Sequence, residues 1–189
     1  RDAGELCGLG PLGVSATDDP ALVLALDPDA VCYAASGEAR PGEAVDDLVR
    51  LLAAGVDVVS TSVSGLVHPP GFDPDQVARL EAACRQGGAS LYVSGIEPGF
   101  AADHLVLVLA TLTRRITSVR TQELFSYAGY PVAFTMFDVF GFGRPPEDTC
   151  LMELPGVQAG AWAPPVRMVA DHLGVELDEV RETYDKRVT

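Results

Sequence analysis

Glu97 sits in Gly95-Ile96-Glu97-Pro98-Gly99-Phe100, a stretch broken by proline and glycine, where a carboxylate can bind an ammonium group or shuttle a proton. An exposed loop acid explains it equally well. His68 precedes Pro69-Pro70, and histidine is the side chain that titrates near neutrality, so it is a candidate acid or base against the plainer reading of a loop histidine. Glu123, Tyr127 and Tyr130 follow or end a long alternating segment and suit a substrate face, tyrosine by hydrogen bonding and glutamate by charge; packing is the competing role for the tyrosines. Arg144, in the glycine and proline run 141–146, fits a carboxylate or a phosphate, or else a structural turn. His68, His104 and His172 stand too far apart for metal-ligand spacing, so no metal is expected. Cys84 and Cys150 raise a thioester route, but Cys84 falls on the apolar side of a helical pattern and Cys150 follows Glu147-Asp148, an acidic setting unsuited to a thiolate nucleophile.

The elements that would position these groups follow from periodicity. Residues 30–35 (AVCYAA) read as a buried strand, 56–61 (VDVVST) as a second, β-branched strand and 90–94 (SLYVS) as a third. Between them, residues 42–54 place Val45, Leu48, Val49 and Leu52 on one face before Gly55, and Asp73-Pro74 opens a helix carrying Val77, Leu80, Ala83 and Cys84 on one face before Gly87-Gly88. Strand and helix alternating in this way describe a parallel sheet with helices on its faces. The strand ends then share one edge, where such sheets bind ligands, and each ends in small polar residues: Ser36-Gly37, Ser60-Thr61-Ser62 and Ser94-Gly95. Tight turns need small residues too, which is the alternative for any single loop.

Elsewhere, 14–17 reads as a short alternation, followed by a short helix from Asp19-Pro20 to about Leu26. After Gly95 an apolar helix is expected over 101–115, a long strand over 116–125, a helix over 165–173 stopped by Gly174, and another from Asp178. The break at 96–100 divides a domain of residues 1–95 from one of residues 96–189. The polar start at Arg1 and the unterminated last helix read as cuts.

Gly8-Leu9-Gly10-Pro11-Leu12-Gly13 matches the dinucleotide fingerprint letter for letter. That motif acts only between a strand and a helix whose free N–H groups face a pyrophosphate. Here a polar stretch precedes it, an extended one follows, and Pro11 lacks a donor, so a plain connecting loop is expected.

Arg1-Asp2-Ala3-Gly4-Glu5-Leu6, the stretch 95–100, and Phe137-Asp138-Val139-Phe140-Gly141-Phe142-Gly143-Arg144-Pro145-Pro146 carry a resemblance. With the order of elements, they resemble the dihydrodipicolinate reductase-like proteins related to 2,4-diaminopentanoate dehydrogenase, over nearly the whole chain. The resemblance implies an α/β chain: an incomplete Rossmann-type parallel sheet in 1–95 that binds NAD or NADP, then an α+β substrate and oligomerisation domain in 96–189. It implies hydride exchange at a carbon bonded to nitrogen in a small amine or amino-acid-like substrate, within a homo-oligomer, dimer or tetramer. On that footing Ala35 and Ser36 lie near phosphate or ribose, Ser60, Thr61 and Ser62 near nicotinamide, and Gly95 with Glu97 where cofactor meets substrate. Glu97, His68 and Tyr127 are the catalytic candidates, and Glu123, Tyr130 and Arg144 the substrate-binding ones. The paired histidines and nearby lysine of true dihydrodipicolinate reductases are missing, since the sole lysine is Lys186. A non-catalytic ligand-binding or assembly module of the same fold is the alternative.

Composition narrows the partners. A formal charge of −14 opposes nucleic acid and anionic lipid. The apolar run 105–112 is far shorter than the ~20 residues that span a bilayer, and no signal segment opens the chain. Cys7, Cys32, Cys84 and Cys150 form no paired motif, as expected of a reducing, cytoplasmic setting.

Overall fold

β-Branched and aliphatic runs become three short parallel strands, β1 (Ala30–Tyr33), β2 (Asp57–Ser60) and β3 (Leu91–Val93), in the order β1-β2-β3. This is a computed structural model, and it describes residues 1–37 and 40–188. Two short helices, α1 (Ala3–Leu6) and α2 (Pro20–Leu24), precede the sheet, and α3 (Pro41–Ala53) and α4 (Pro74–Gly87) are its crossovers. Asp73 caps α4 by accepting from the Asp75 and Gln76 N–H groups, and Gly88 ends it at φ 66°. The core is the seam where Val45, Leu48 and Leu52 of α3 and Leu80 and Ala83 of α4 meet Val58 and Val93 of the sheet. The ends of α3 and α4 approach so closely that a Cβ on Gly87 would lie 2.0 Å from the Leu52 carbonyl oxygen.

The expected helices lie on one face of this sheet. Cys32, Val59 and Tyr92 are in register across the three strands and face the other side, with Val59 50% and Tyr92 52% exposed. The α/β class and the incomplete Rossmann-type parallel sheet therefore stand as expected, with one face covered among the described residues.

Beyond the sheet, several elements differ from the periodicity. The apolar helix is α5 (His104–Ala110), shorter at both ends than 101–115. Asp103, fully buried, accepts from the Gly99 and His104 N–H groups, so the chain turns until residue 104, and the Thr111 hydroxyl donates to the Val108 carbonyl where the helix ends. Residues 116–125 form neither helix nor strand: an alternating segment becomes a strand only beside another strand, and none lies beside it among the described residues. The last helix, α6 (Val157–Leu173), begins well before residue 165 and carries Pro164 and Pro165 inside it. Both prolines are buried, and α6 packs against the 3₁₀ turn Ser64–Val67. The Glu182 carboxylate accepts from the Gly156 and Ala159 N–H groups and so supplies the start of α6. No helix forms from Asp178; instead Glu182, Tyr184 and Lys186 tie the segment down, Tyr184 donating to the Phe140 carbonyl at 2.7 Å and Lys186 pairing with Glu153 at 2.8 Å. The alternation at 14–17 is reduced to an isolated bridge between Asp2 and Ser15.

Candidate functional site

Parallel strands bring the ends of β1 and β2 side by side, and the chain leaving them opens a cleft of about 570 Å³. Ala35, Ser36, Thr61 and Ser62 line it, with Ser64, the first turns of α3 (Pro41, Gly42) and α4 (Asp73, Gln76), Phe72 beneath, and Tyr130 and Thr135 from the second half. Small side chains hold the two loops together: the Ser62 hydroxyl donates to the Ala35 carbonyl, and a Cβ on Gly37 would lie 2.7 Å from the Val63 nitrogen. Among the described residues no side chain caps the start of α3, where Pro41 has no N–H and those of Gly42 and Glu43 are the first donors.

The expected site residues separate into groups. Ala35, Ser36, Thr61, Ser62 and Tyr130 share the cleft. Ser60 does not reach it. It is the inward residue of β2, 1% exposed, and its hydroxyl donates to the Tyr33 carbonyl at 2.9 Å while accepting from Ser62 N–H at 3.0 Å, a clasp between β1 and the β2 loop. Gly95 underlies a closed turn in which the Ser94 hydroxyl donates to the Gly99 carbonyl and a Cβ on Gly99, at φ 125°, would lie 2.1 Å from Gly95 N.

Glu97 stands on that turn, at the same sheet edge as the cleft but outside its lining. Burial pushes its carboxyl above the usual carboxylate range, and the charges of Glu123 and Asp103 push it further. The structure thus brings Glu123 to Glu97. His68 lies elsewhere: its Nε2 is 2.8 Å from the Asp171 carboxylate of α6, beside Arg167, which donates to the Gly71 carbonyl. That cluster fastens the loop after β2 to α6. Tyr127 sits among Phe125, Tyr130, Phe140 and Phe142 with ring centroids 4.8 to 5.9 Å apart. Arg144 pairs with Asp138.

Thr135, Asp73 and Gln76 were not singled out by residue type. Asp73 was legible only as a helix cap, and Thr135, 8% exposed, comes from a π-helical turn (Thr135–Val139) without a periodic signature. Among the described residues no group of histidine, cysteine and carboxylate side chains has the arrangement of a metal site.

The Gly8–Gly13 stretch has an anion after all, its own. The Asp2 carboxylate accepts from Gly4, Glu5, Leu12 and Gly13 N–H groups, at 2.7 to 3.3 Å, and these bonds hold its pKa below the usual carboxylate range, against a smaller opposing effect of burial. The loop's Gly8, Leu9, Leu12 and Gly13 donors are consumed internally.

No family model matches the chain. A curated protein of Streptomyces virginiae, described as an amine dehydrogenase, is 43% identical over 188 residues, which are 99% of this chain and 52% of that protein. The solved amine dehydrogenase of Mycobacterium smegmatis superposes with a TM-score of 0.54 at 30% identity, covering 61% of this chain and 34% of that one. The chain is similar to amine dehydrogenases, and it spans about half the length of the curated relative it matches.

Proposed function

We infer that the chain provides half of the site of an oxidoreductase acting on amines, with NAD or NADP as the hydride carrier. The observation that supports this most is the cleft where β1 and β2 end, in a chain 43% identical to a protein described as an amine dehydrogenase. Its lining fits part of a nicotinamide dinucleotide: Ala35, Gly37 and Gly42 leave room for a flat ring or a ribose, and Ser36, Thr61, Ser62 and Thr135 offer hydroxyls. The α3 N-terminus, uncapped by any described side chain, offers the Gly42 and Glu43 N–H groups for a phosphate. When bound, the cofactor supplies or accepts the hydride. Ser60 keeps the two strand-end loops at fixed spacing, and Gly95 and Gly99 hold the turn that carries Glu97.

Glu97 takes the proton-handling role. A carboxyl whose pKa is raised by burial and by neighbouring charges exchanges protons nearer neutrality, and as the carboxylate it pairs with a substrate ammonium, with Glu123 adding charge. Tyr130 borders the substrate side of the cleft and Tyr127 packs behind it. His68 and Arg144, already paired with Asp171 and Asp138, serve the scaffold in this reading. The finer kinship, to dihydrodipicolinate reductase-like and 2,4-diaminopentanoate dehydrogenase-like proteins, is supported by the three motif stretches alone. So is the division into a cofactor domain, 1–95, and a substrate domain, 96–189. No helix among the described residues is long and apolar enough to cross a membrane, and four unpaired cysteines suit a reducing cytoplasm.

NAD and NADP titrated into the isotope-labelled protein test the cofactor site. The expected result is amide shifts confined to residues around Ser36, Thr61 and Ser62. Shifts scattered over the surface, or no dinucleotide binding by a chain extended to the relative's full length, would sink the reading. Localised shifts here, with no amine-dependent nicotinamide reduction by a chain extended to the relative's full length, would favour the ligand-binding module instead.

A further inference from the structure

Val63, in the wall of the cleft, has its backbone at φ 55° and ψ 62°, the left-handed region that a β-branched side chain avoids. Asp27, at φ 50°, is the other such non-glycine residue among those described, and aspartate tolerates the region. Free of other contacts, a valine would populate this conformation about 5- to 150-fold less than its ordinary ones. Such strain persists only where the surroundings hold the chain on both sides of it.

Both sides are held here. On the sheet side, the Ser62 hydroxyl donates to the Ala35 carbonyl and the Ser62 N–H donates to Ser60 Oγ at 3.0 Å. The missing side chain of Gly37 lets the Val63 nitrogen come within 2.7 Å of where a Cβ would stand. On the far side the chain enters the 3₁₀ turn Ser64–Val67, where Leu66 is buried and its N–H donates to the Val63 carbonyl at 2.9 Å. Helix α6 then grips the end of the loop. His68 Nε2 lies 2.8 Å from the Asp171 carboxylate, and Arg167 donates to the Gly71 carbonyl at 3.2 Å. Gly71 lies against both side chains, since a Cβ there would sit 3.2 Å from Arg167 Cδ and 3.5 Å from His68 Cδ2. Between the sheet-edge anchor and the α6 anchor stand Ser62, Val63 and Ser64, and all three line the cleft.

We propose that the clasp of α6 on this loop, His68 with Asp171 and Arg167 with the Gly71 carbonyl, holds Val63 in its left-handed conformation and so places Ser62 and Ser64 in the cleft. His68 and Asp171 are then positioning residues, which touch no ligand and act through the backbone of residues 62–64. Without the clasp the loop relaxes at Val63, and the cleft-forming arrangement becomes the minor one. A ligand of the cleft then binds only the fraction still in place, so its apparent Kd rises by the same factor. That this ligand is a nicotinamide dinucleotide rests on the amine-oxidoreductase reading; the held strain does not.

Backbone carbon and nitrogen chemical shifts of the isotope-labelled chain, without cofactor or amine, read the conformation at Val63 separately from the function. The expected result is that H68A and D171A move the signals of residues 62–64 out of the left-handed pattern and leave those of α3 and α4 in place. H68Q, whose side-chain amide can still donate to Asp171, keeps the parent's signals. Val63→Asn removes the strain because asparagine tolerates the left-handed region, and Val63→Gly removes it with no side chain at all. In either background H68A should leave the signals of residues 62–64 unmoved, a compensation that mere loss of packing cannot give. In a chain extended to the relative's full length, H68A raises the Kd for NAD or NADP at least about fivefold, and V63N/H68A returns it toward the parent value. Signals of 62–64 that H68A leaves in place, or moves equally with and without the strain at Val63, would overturn the proposal. So would movement spread through α3 and α4, unfolding by both Val63 variants, or a Kd indifferent to H68A. An extended chain that binds no dinucleotide, with the shifts as expected, would remove the functional reading and leave the clasp standing.

Discussion

The sheet with α3 and α4 and the stretch from Thr113 to Pro131 both carry patterned apolar residues and have opposite outcomes. In the first, every strand finds its neighbour within the same segment, and crossovers deliver Leu48, Leu52 and Leu80 to a shared seam where they are at most 4% exposed. In the second, Leu124 is 87% exposed and Phe125 63%, because the edge that would turn alternation into a strand is not in the segment. An apolar pattern stabilises a chain only where a second surface is held in place to receive it. The cleft lies between the two regimes, its floor from the self-sufficient half and Tyr130 and Thr135 from the other.

The sharpest way to break this contrast is to cut back an apolar side chain on each side of it. Leu48→Ala should cost ~2–5 kcal/mol, the range for emptying a filled core position, whereas Leu124→Ala should stay within about 0.5 kcal/mol. Denaturant unfolding of the two variants checks both, and equal losses would mean that the second stretch is packed in solution. Next in size is Gly99→Ala, which forces a non-glycine residue to φ 125° and its Cβ onto Gly95 N. A cost of ~1–3 kcal/mol is expected, with faster hydrogen exchange in residues 94–104 and little change in α3. Removing the cap of α4 with Asp73→Ala should cost ~1 kcal/mol, read by thermal melting, and loosen the cleft wall that Asp73 and Gln76 form.

The same contrast explains which parts were legible in the sequence. The strands β1, β2 and β3 and the helices α3 and α4 announce themselves through local signals: β-branched runs, an apolar face, Asp73-Pro74 at one helix start and Gly88 at its end. Their strand-end loops carry Ala35, Ser36, Thr61 and Ser62, which the fold brings together in the cleft. Ser60, one step before Thr61 on the strand, takes the opposite face and points into the core. Distant partners fixed what local pattern could not. The start of α6 depends on Glu182, 26 positions away. The short span of α5 depends on Asp103 answering Gly99, and the site of His68 on Asp171. Thr135 enters the cleft from a π-helical turn that periodicity does not describe.

The smallest expected effect concerns Glu97, and its sign is its content. Burial first, then Glu123 and Asp103, raise its carboxyl pKa in the folded chain above the value it has when unfolded. The folded state therefore binds this proton more tightly. The stability linked to it is fully present below the unfolded pKa and is lost as pH rises through the folded one. Glu97→Gln removes the charge that causes the loss, so the variant should be slightly more stable than the parent at neutral pH and no more stable at low pH. Melting temperatures of both proteins from mildly acidic to neutral pH check the trend. A gap that does not grow with pH would mean that Glu97 is as well solvated as any surface acid, leaving no physical reason to assign it the proton. Abolition of the gap in E123Q would identify Glu123 as the neighbour that matters, in the half of the chain that otherwise faces water.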